Sequence, residues 1–577
     1  MDNKQAAAIL EEIGLLLELQ GESPFKSRAY YNGARTIEFL TEDLTKLVEE
    51  DKLKELPGIG KALTEKIAEL VLTGRLAYYE ELKKAIPSGV LELLRIPGLG
   101  PKKAGILYRE LGITSIGELE YACKENRLIT LKGFGAKTQA KFLAGVDYLK
   151  RFQGQHRLAD AWPWAMEILS YLKDCPWVVE AEIAGSIRRG KEIVKDLDLV
   201  ASSREPEKVS QYLTGLPLVE EVIALGPTKT SVKLEYGLPL DLRVVEPQQF
   251  PYALHHFTGS KEHHTALRHL AKGMKLKINE YGIFHGDELL LCQDEKDFYR
   301  VLGLDYIVPE LRENTGEIEA SLEGRLPDLV EGEDIKGVFH VHTNYSDGAN
   351  TIEEMVKGAR DRGYRYLGIT DHSQSAFYAG GLKVEDLLRQ REEIRAIQEE
   401  YPQIMIFHGI ESEIKADGSL DYDDDILALF DFVIASVHSH FSAGADLTQR
   451  LIRAMSHPAV TMLGHPTGRL LLAREGYRVD MEAVLEAARE YQVIIELNAS
   501  PARLDLDWRH LPKAKELGVK VSINPDAHRV EELDDIRYGV LMARKGWLKA
   551  SDVFNTMGPR IVRRYLEERR RSWVNKS

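Results

Sequence analysis

Apolar positions change their spacing along the chain, and this change predicts where helices and strands lie. In residues 1–50, Ala7, Leu10, Ile13 and Leu17 follow helical spacing, so amphipathic helices are predicted there. From residue 336 onward, short apolar runs alternate with helical stretches. The runs predicted as strands are residues 338–342, 366–370, 404–410, 432–436, 461–464, 493–497 and 519–523. Seven strands joined by helices predict a parallel, barrel-like α/β domain.

A glycine-containing turn occurs three times between the predicted helices of residues 51–150. Two copies read Leu-Pro-Gly-Ile-Gly-Lys and Ile-Pro-Gly-Leu-Gly-Pro-Lys-Lys, and Leu-Lys-Gly-Phe-Gly-Ala-Lys is less regular. Free backbone N–H groups at a helix N-terminus bind phosphate oxygens without reading bases. The candidate DNA-binding residues are Gly58, Gly60, Lys61, Gly98, Gly100, Lys102 and Lys103. One copy would equally fit a plain helix–helix turn, but three copies with lysines favour phosphodiester binding.

The hexapeptide Gly-Ser-Ile-Arg-Arg-Gly, residues 185–190, is followed by the carboxylate pair Asp196 and Asp198. Positions i and i+2 of a strand share a face, so both carboxylates are predicted to lie together. Asp241 lies in a second predicted strand of alternating apolar and polar residues and can join them. Adjacent carboxylates repel each other, which costs free energy. Bound divalent cations such as Mg²⁺ or Mn²⁺ would offset this repulsion. The Ser186 hydroxyl and the Arg189 guanidinium are candidate phosphate ligands. Together with the three aspartates, they predict two-metal nucleotidyl transfer. Asp241 is the candidate base.

Histidines and carboxylates recur where the predicted barrel strands end, which is the edge where such barrels assemble active sites. Ten of the 17 histidines lie beyond residue 335. The recurring residues are His340, His342, Asp347, Asp371, His372, Glu411, His438, His440, His465, Asp526 and His528. Mixed imidazole and carboxylate ligands suit Zn²⁺, Mn²⁺ or iron. The pattern predicts a multinuclear metal site that hydrolyses a phosphoester.

Composition narrows the class of protein. The 577 residues predict several domains, and the net charge of −15 argues against a uniformly basic nucleic-acid binder. The charge is uneven, since residues 51–150 hold 17 Lys and Arg against 12 Asp and Glu, whereas residues 301–450 hold 13 against 30. Three scattered cysteines predict no disulfide framework. Without a signal pattern or a long apolar run, a cytoplasmic, nucleoid-associated protein away from membranes is expected.

The order of these motifs, followed by Phe257-Thr258-Gly259-Ser260, resembles the family X DNA polymerases. The segments His-x-His-Thr-x-x-Ser-Asp-Gly, Thr-Asp-His-Ser, Gly-His-Pro-Thr-Gly-Arg and Asp-Ala-His resemble a polymerase and histidinol phosphatase (PHP) domain, and the fusion is similar to bacterial and archaeal DNA polymerase X. The resemblance implies a multidomain α+β and α/β fold. Its parts are a helical lyase-like domain (1–84) and fingers (85–153), both with helix-hairpin-helix units, a nucleotidyltransferase palm (154–250), a thumb (251–315), a linker (316–334) and a distorted seven-stranded (β/α) PHP barrel (335–577).

Residue roles follow from the resemblance. Asp196, Asp198 and Asp241 would hold two Mg²⁺ or Mn²⁺ ions, and Gly185, Ser186 and Arg189 the incoming triphosphate. Phe257 and Gly259 would line the sugar pocket, Arg268 would contact the template, and Lys66 aligns with a lyase Schiff-base lysine. The barrel would hold up to three Mn²⁺, Zn²⁺ or iron ions through His340, His342, Asp347, His372, Glu411, His438, His465, Asp526 and His528. His440 and Arg469 are expected to contact a phosphate.

The implied function is short-gap filling in base excision repair, with 3′–5′ exonuclease and abasic-site endonuclease activities in the PHP domain. The expected partners are gapped or primer–template DNA and deoxynucleoside triphosphates, and a monomer is expected. Two other interpretations stay open at this point. One is a tRNA-tailing or small-molecule nucleotidyltransferase, and the other is a DNA-binding scaffold with a metal-stabilised barrel.

Overall fold

The computed structural model describes residues 3–38, 40, 42–50, 52–124, 127–152, 154–441 and 445–574. These residues belong to two compact units, residues 1–153 and residues 154–577. The described part of the first unit is helical. Its helices are α1 (Asn3–Gln20), α2 (Pro24–Glu38), α3 (Leu44–Glu49), α4 (Lys61–Thr73), α5 (Ala77–Ala85), α6 (Ser88–Glu92), α7 (Pro101–Leu111), α8 (Ile116–Lys124) and α9 (Ala136–Phe152).

The three glycine turns predicted from the sequence are present in this unit. Each follows a short 3₁₀ segment and leads into the next long helix, α4, α7 or α9. Gly58, Gly98 and Gly133 have φ of +78°, +82° and +90°, a region that glycine enters without the steric cost of a Cβ. Gly60 and Gly100 are the N-caps of α4 and α7 and make no side-chain capping bond. Both helices therefore begin with backbone N–H groups that no capping side chain engages.

The second unit begins with a mixed α+β region. Its elements, in chain order, are β1 (His156–Arg157), α10 (Leu158–Lys173), β2 (Glu180–Ile183), α11 (Gly185–Arg188), β3 (Ile193–Val194), β4 (Leu197–Ser202), α12 (Pro206–Thr214), β5 (Val219–Leu225), β6 (Lys229–Leu234), β7 (Pro239–Val245), α13 (Phe250–Thr258), α14 (Lys261–Gly273), β8 (Leu276–Asn279), β9 (Gly282–His285), β10 (Glu288–Leu290), α15 (Glu295–Val301) and α16 (Glu317–Leu322).

A five-stranded sheet of order β2-β4-β7-β6-β5 carries the predicted aspartates. Strands β4 and β7 pair in parallel. Their leucines alternate into the core, where Leu197, Leu199, Leu240 and Leu242 are at most 1% exposed. The polar residues of these strands consequently share the opposite face. Asp196, predicted within the strand, lies immediately before β4.

The remainder of the second unit is a parallel α/β domain. Its elements are β11 (Gly337–Val341), α17 (Ile352–Asp361), β12 (Tyr366–Ile369), α18 (Val384–Glu400), β13 (Met405–Glu413), α19 (Asp424–Leu427), β14 (Phe432–Ser436), α20 (Thr448–Met455), β15 (Val460–Leu463), α21 (Met481–Glu490), β16 (Ile494–Asn498), α22 (Leu511–Glu516), β17 (Val521–Asn524), α23 (Ile536–Lys545) and α24 (Pro559–Val574).

The seven strands follow one another in the sheet in chain order, β11 to β17, and every neighbouring pair is parallel. A parallel bridge from Val341 to Ala527 links the ends of the first and last strands, so the sheet nearly closes into a barrel. The predicted barrel is confirmed, and the predicted strand bounds differ by at most three residues.

The segment 316–334, predicted as a linker, is packed at both ends: Ile318 joins the core that holds Leu302 and Leu311, and Val330 joins the barrel core. Helix α16 buries Ile318 and Ala320, and Val330 is fully buried. The Val330 backbone N–H donates to the Leu548 carbonyl at 3.0 Å. The segment therefore connects the region of α13 to α15 to the barrel through packed surfaces. No helix of the described residues is long and apolar enough to cross a bilayer.

Candidate active sites

Asp198 and Asp241 lie side by side in the five-stranded sheet. They are direct register partners on the parallel strands β4 and β7. Burial and repulsion from Asp196 and Asp241 raise the pKa of Asp198 to about 7. Burial and the charge of Asp241 also raise the pKa of Asp196. These shifts show that the three carboxylates are close enough to repel one another, which is the arrangement that bound divalent cations stabilise.

Asp241 has cationic and hydroxyl partners of its own. Its Oδ2 lies 2.7 Å from Nζ of Lys229, and its Oδ1 accepts a hydrogen bond from Oγ of Ser231 at 2.5 Å. Burial raises the pKa of Asp241, but these hydrogen bonds outweigh that effect and lower the pKa overall. Both oxygens of Asp241, the candidate base predicted from the sequence, are therefore engaged in this structure.

The glycine turn at residues 185–190 folds directly onto Asp198. Gly185 has φ of +66°, and a Cβ there would lie 2.2 Å from Oδ2 of Asp198. The Ala184 backbone N–H donates to the Asp198 carbonyl at 2.7 Å. Only glycine permits this approach, so the glycine turn and the carboxylate are locked into one arrangement. Ser186 is half-buried in α11, one residue further along.

The Arg189 guanidinium joins this turn to the thumb region. Its Nε donates to Oε1 of Glu313 at 3.2 Å, and its Nη1 donates to the carbonyl of Thr258. A Cβ on Gly259 would lie 2.8 Å from the same Nη1. Arg189 and Gly259, both predicted around the nucleotide, are therefore in contact. The sequence did not reveal Glu313 as the partner that holds Arg189.

The remaining predicted nucleotide and template residues lie on α13 and α14. The Phe257 ring centroid is 4.9 Å from the guanidinium carbon of Arg243. Arg268 is exposed on α14. Arg243 alternates with the same leucines as Asp241 and so shares its face of β7.

All nine predicted barrel ligands converge at the carboxyl ends of the strands. They form overlapping groups of three or four residues whose candidate donor atoms lie within 4.8 Å of one another: His342, Asp347, His372 and His528; His340, His342 and Glu411; His340, His465 and Asp526; and His372, Glu411 and His438. Shared members link the groups, so the geometry suits several divalent ions.

Glu411 is the common centre of these groups. Its side chain is 1% exposed, and the ring nitrogens of five histidines lie within 3.7 Å of its oxygens. The closest is Nδ1 of His372 at 2.9 Å. Nδ1 of His465 is buried, and no described residue forms a hydrogen bond with it. A buried carboxylate surrounded by imidazoles fits a bridging metal ligand.

The loop after β11 carries Asp347 back over the strand end. A Cβ on Gly348 would lie 2.6 Å from the His342 carbonyl, so glycine allows the loop to fold closely. Asp371 is buried beneath it and accepts hydrogen bonds from the Thr343 and Ser346 hydroxyls. Asp371 thus shapes the loop and lies outside the metal-ligand groups.

Two buried glutamates that sequence reasoning missed orient the histidines. Oε2 of Glu413 lies 2.9 Å from Nδ1 of His438, and Oε1 of Glu496 lies 2.6 Å from Nδ1 of His340. Such contacts fix the ring tautomer and leave Nε2 for a metal. A signal was available for Glu496, because a lone glutamate after the apolar residues of β16 must find a buried partner.

The cations around the metal groups differ from those predicted. A cavity of about 250 Å³ over the cluster is lined by Arg474 and Arg503, and Nε of Arg503 lies 3.3 Å from Oδ2 of Asp526. The predicted phosphate contacts His440 and Arg469 are not among the lining residues. Arg469 instead binds Asp507 at 2.6 Å and the Arg503 carbonyl at 2.9 Å, so it fixes the loop that presents Arg503.

In the first unit, the predicted DNA-binding lysines have different surroundings. Lys61 and Lys102 are exposed at the starts of α4 and α7. Lys103 is half-buried, its Nζ about 6 Å from the ring centroids of Phe134 and Phe142. Lys66 lies on α4 with its Nζ 4.1 Å from the Tyr78 ring centroid and 5.6 Å from that of Tyr30.

Comparison with known proteins extends over nearly the whole chain. The DNA polymerase/3′-5′ exonuclease PolX of Bacillus subtilis (strain 168) is 40% identical over 572 residues, which are 98% of this chain and 100% of the relative. The chain belongs to the DNA polymerase X family. The family predicted from the motifs is thereby confirmed.

Family models match successive parts of this polymerase X chain. A helix-hairpin-helix domain matches residues 1–76, a SAM-like helix-hairpin-helix tandem residues 90–141, a DNA polymerase beta thumb residues 253–313, and a PHP domain residues 339–500. These matches, together with the seven-stranded barrel, confirm the predicted fold class.

Shorter relatives match part of the chain. A probable phosphatase of Caldanaerobacter subterraneus subsp. tengcongensis is 32% identical over 250 residues, 40% of this chain and 91% of the relative. A probable phosphatase of Thermoanaerobacter sp. (strain X514) is 30% identical over 250 residues, 40% of this chain and 94% of the relative.

Proposed function

We propose that this chain is a gap-filling DNA polymerase of base excision repair that also degrades DNA from the 3′ end at the barrel metal cluster. The observation that carries the polymerase part is the register pairing of Asp198 with Asp241, beside a glycine turn that contacts Asp198. The whole-length likeness to a PolX protein named as a polymerase and exonuclease supports both activities.

In the palm, Asp196, Asp198 and Asp241 are the residues that would hold two Mg²⁺ or Mn²⁺ ions. Such ions stabilise the charge that develops on the attacking and leaving oxygens. The chain's own groups bind and orient the substrate: Gly185, Ser186 and Arg189 receive the triphosphate, and Phe257 and Gly259 limit the space at the sugar. Arg268 contacts the template, and the glycine turns of the first unit bind the DNA backbone.

In the barrel, the nine converging ligands would hold up to three Mn²⁺, Zn²⁺ or iron ions, which lower the pKa of bound water. Arg503 and Arg474 are the groups best placed to bind a phosphate, because they line the cavity above the cluster. The same centre is the candidate for an abasic-site endonuclease. An enzyme with these substrates works on cytoplasmic, nucleoid DNA.

A lyase activity is a second candidate, favoured by the surroundings of Lys66. Among the described residues, no carboxylate lies within ion-pair distance of its amine. The amine instead lies against the Tyr78 and Tyr30 rings, with Nζ of Lys26 5.8 Å from the Tyr78 centroid. This amine is therefore the candidate for a Schiff base with a deoxyribose phosphate.

The deciding experiment uses a gapped duplex with a labelled primer, deoxynucleoside triphosphates and either Mg²⁺ or Mn²⁺. We expect templated extension by the wild type, none by Asp198→Asn, and extension without degradation by His342→Ala. His457→Ala, on the barrel surface 3.1 Å from Asp424, serves as the matched control and should retain both activities.

Three outcomes would count against the proposal. Untemplated addition, or extension of a tRNA in preference to gapped DNA, would support a different nucleotidyltransferase. Binding of DNA with neither extension nor degradation would support a scaffold.

A further inference from the structure

Helix α23 of the barrel reaches the glycine turn of the polymerase site. Nζ of Lys545, the last residue of α23, donates a hydrogen bond to the Arg189 carbonyl at 2.9 Å. The same Nζ donates to Oε1 of Glu313 at 2.6 Å. Because Glu313 also binds Nε of Arg189 at 3.2 Å, Lys545 contacts both the backbone of Arg189 and the carboxylate that holds its guanidinium.

A second contact from the same helix fixes the next residue of the turn. Leu541 packs on Gly190, where a Cβ would lie 2.7 Å from Cγ of Leu541. Gly190 has φ of +66°, so both its conformation and its close packing require glycine. Helix α23 therefore holds two consecutive backbone positions, Arg189 and Gly190.

The charges at this contact are buried and paired. The Lys545 side chain is fully buried, and that of Glu313 is 8% exposed. Burial lowers the pKa of Lys545 to about 8, and Glu313 acts in the opposite direction. Nζ of Lys191 lies 3.0 Å from Oε2 of Glu313, so three cations share one carboxylate. If a triphosphate draws the Arg189 guanidinium away, Lys545 and Lys191 still neutralise Glu313.

We infer that Lys545 is a positioning residue for nucleotidyl transfer, which makes barrel helix α23 a structural part of the nucleotide-binding site. The inference rests on the proposed function, in which Arg189 binds the triphosphate. Lys545 acts through Arg189: it fixes the backbone carbonyl of Arg189 and the Glu313 carboxylate that holds the arginine side chain. A guanidinium that is already held in one position loses less conformational entropy when it binds the nucleotide.

The test is steady-state gap filling by full-length Lys545→Met, with the exonuclease measured on the same preparation. We expect the KM for the deoxynucleotide to rise about tenfold, the size of one lost charge-assisted hydrogen bond, while exonuclease activity stays unchanged. Arg544→Met is the matched control. Arg544 also joins α23 to the thumb and the linker segment, but through Glu310 at 2.8 Å and Glu331, and its loss should leave KM at the wild-type value.

A double-mutant cycle separates positioning from general loss of stability. Arg189→Ala alone should raise KM, and adding Lys545→Met to it should raise KM no further, because Lys545 acts through Arg189. A wild-type KM in Lys545→Met, or full additivity in the double variant, overturns the inference. A wild-type KM in Arg189→Ala overturns instead the proposed role of Arg189.

Leu541→Ala provides a second test of the same contact if Lys545→Met melts below the assay temperature. It removes the packing on Gly190 without touching a charge. We expect the same selective rise in KM, and an unchanged KM in a folded Leu541→Ala protein contradicts the inference.

Discussion

Nδ1 of His340 lies 2.6 Å from Oε1 of Glu496, deep in the barrel. Glu496 is itself held, because it accepts hydrogen bonds from the His465 backbone N–H at 2.7 Å and from the Asn524 amide at 2.9 Å. The contact directs Nε2 of His340 toward Glu411, 3.2 Å away. Glu496 thus selects the nitrogen that His340 offers to a metal.

Replacing Glu496 by Gln should therefore weaken metal binding about 10- to 100-fold, because the charge that supports the ligand histidine is lost. Elemental analysis and a competition titration against a chelator measure the effect. Exonuclease activity should fall with metal content, whereas gap filling should stay at the wild-type rate. Glu486→Gln, on the exposed face of α21, is the control. Unchanged metal content in Glu496→Gln would show that the contact only packs the core.

Gly185→Ala tests the contact between the glycine turn and Asp198. A methyl group there would overlap Oδ2 of Asp198 at 2.2 Å, and φ of +66° is unfavourable for alanine. Since displacement of a reacting group by about 1 Å costs about 100-fold in rate, gap filling should fall by that order. Primer extension on a gapped duplex measures it.

Gly273→Ala is the matched control for this substitution. Gly273 ends α14, and a Cβ there meets no atom within 4 Å. The variant should keep its polymerase rate and gain about 0.4–1 kcal/mol in the free energy of unfolding. Equal activity of Gly185→Ala and Gly273→Ala would mean that Asp198 tolerates displacement.

The barrel and its candidate ligands could be predicted because two features of the sequence coincide. Apolar runs mark the buried strands, and histidines and carboxylates follow where those runs end. Strand β14 (Phe432–Ser436) is apolar at its first four positions and buried at all five, as expected for strands buried on both faces. Ligands at the ends of parallel strands must meet at one edge of the sheet, so His342 and His465 could be grouped without coordinates.

Contacts between distant segments could not be predicted in this way. Neither the spacing nor the composition around Glu313 and Lys545 indicates that they meet, since 232 residues separate them. The same holds for Arg469, which looked like a phosphate ligand but binds Asp507 and backbone carbonyls. An arginine in a glycine-rich loop has the same local sequence whether it faces a substrate or its own chain.

Lys66→Ala should abolish the lyase reaction if the amine forms the Schiff base with an abasic sugar. Borohydride reduction should trap the wild-type chain on a 5′-deoxyribose-phosphate substrate but not the variant. Lys84→Ala, at the exposed end of α5, is the control and should still be trapped. Trapping of Lys66→Ala at the wild-type level would assign the reaction to another amine, with Lys26 the nearest candidate.

Asp535, at the start of α23, makes stability depend on pH. Burial and the neighbouring charge of Glu532 raise its pKa from the ordinary value of 3.8 to about 7. The folded protein therefore holds a proton between pH 4 and pH 7 that the unfolded chain has released. The free energy of unfolding therefore decreases as the pH rises through that interval. Above pH 7 the full destabilisation by the charged Asp535 carboxylate remains.

Asp535→Asn should remove that cost. Because Asp535 is partly exposed, we expect a gain of only about 1–2 kcal/mol at pH 8, or a few degrees in melting temperature, and almost none at pH 4. Melting curves at both pH values provide the measurement. The neighbouring Asp534 is the control, since its ion pair with Arg362 lowers its pKa. Asp534→Asn should therefore lose stability at pH 8, and equal behaviour of the two variants would exclude the electrostatic cause.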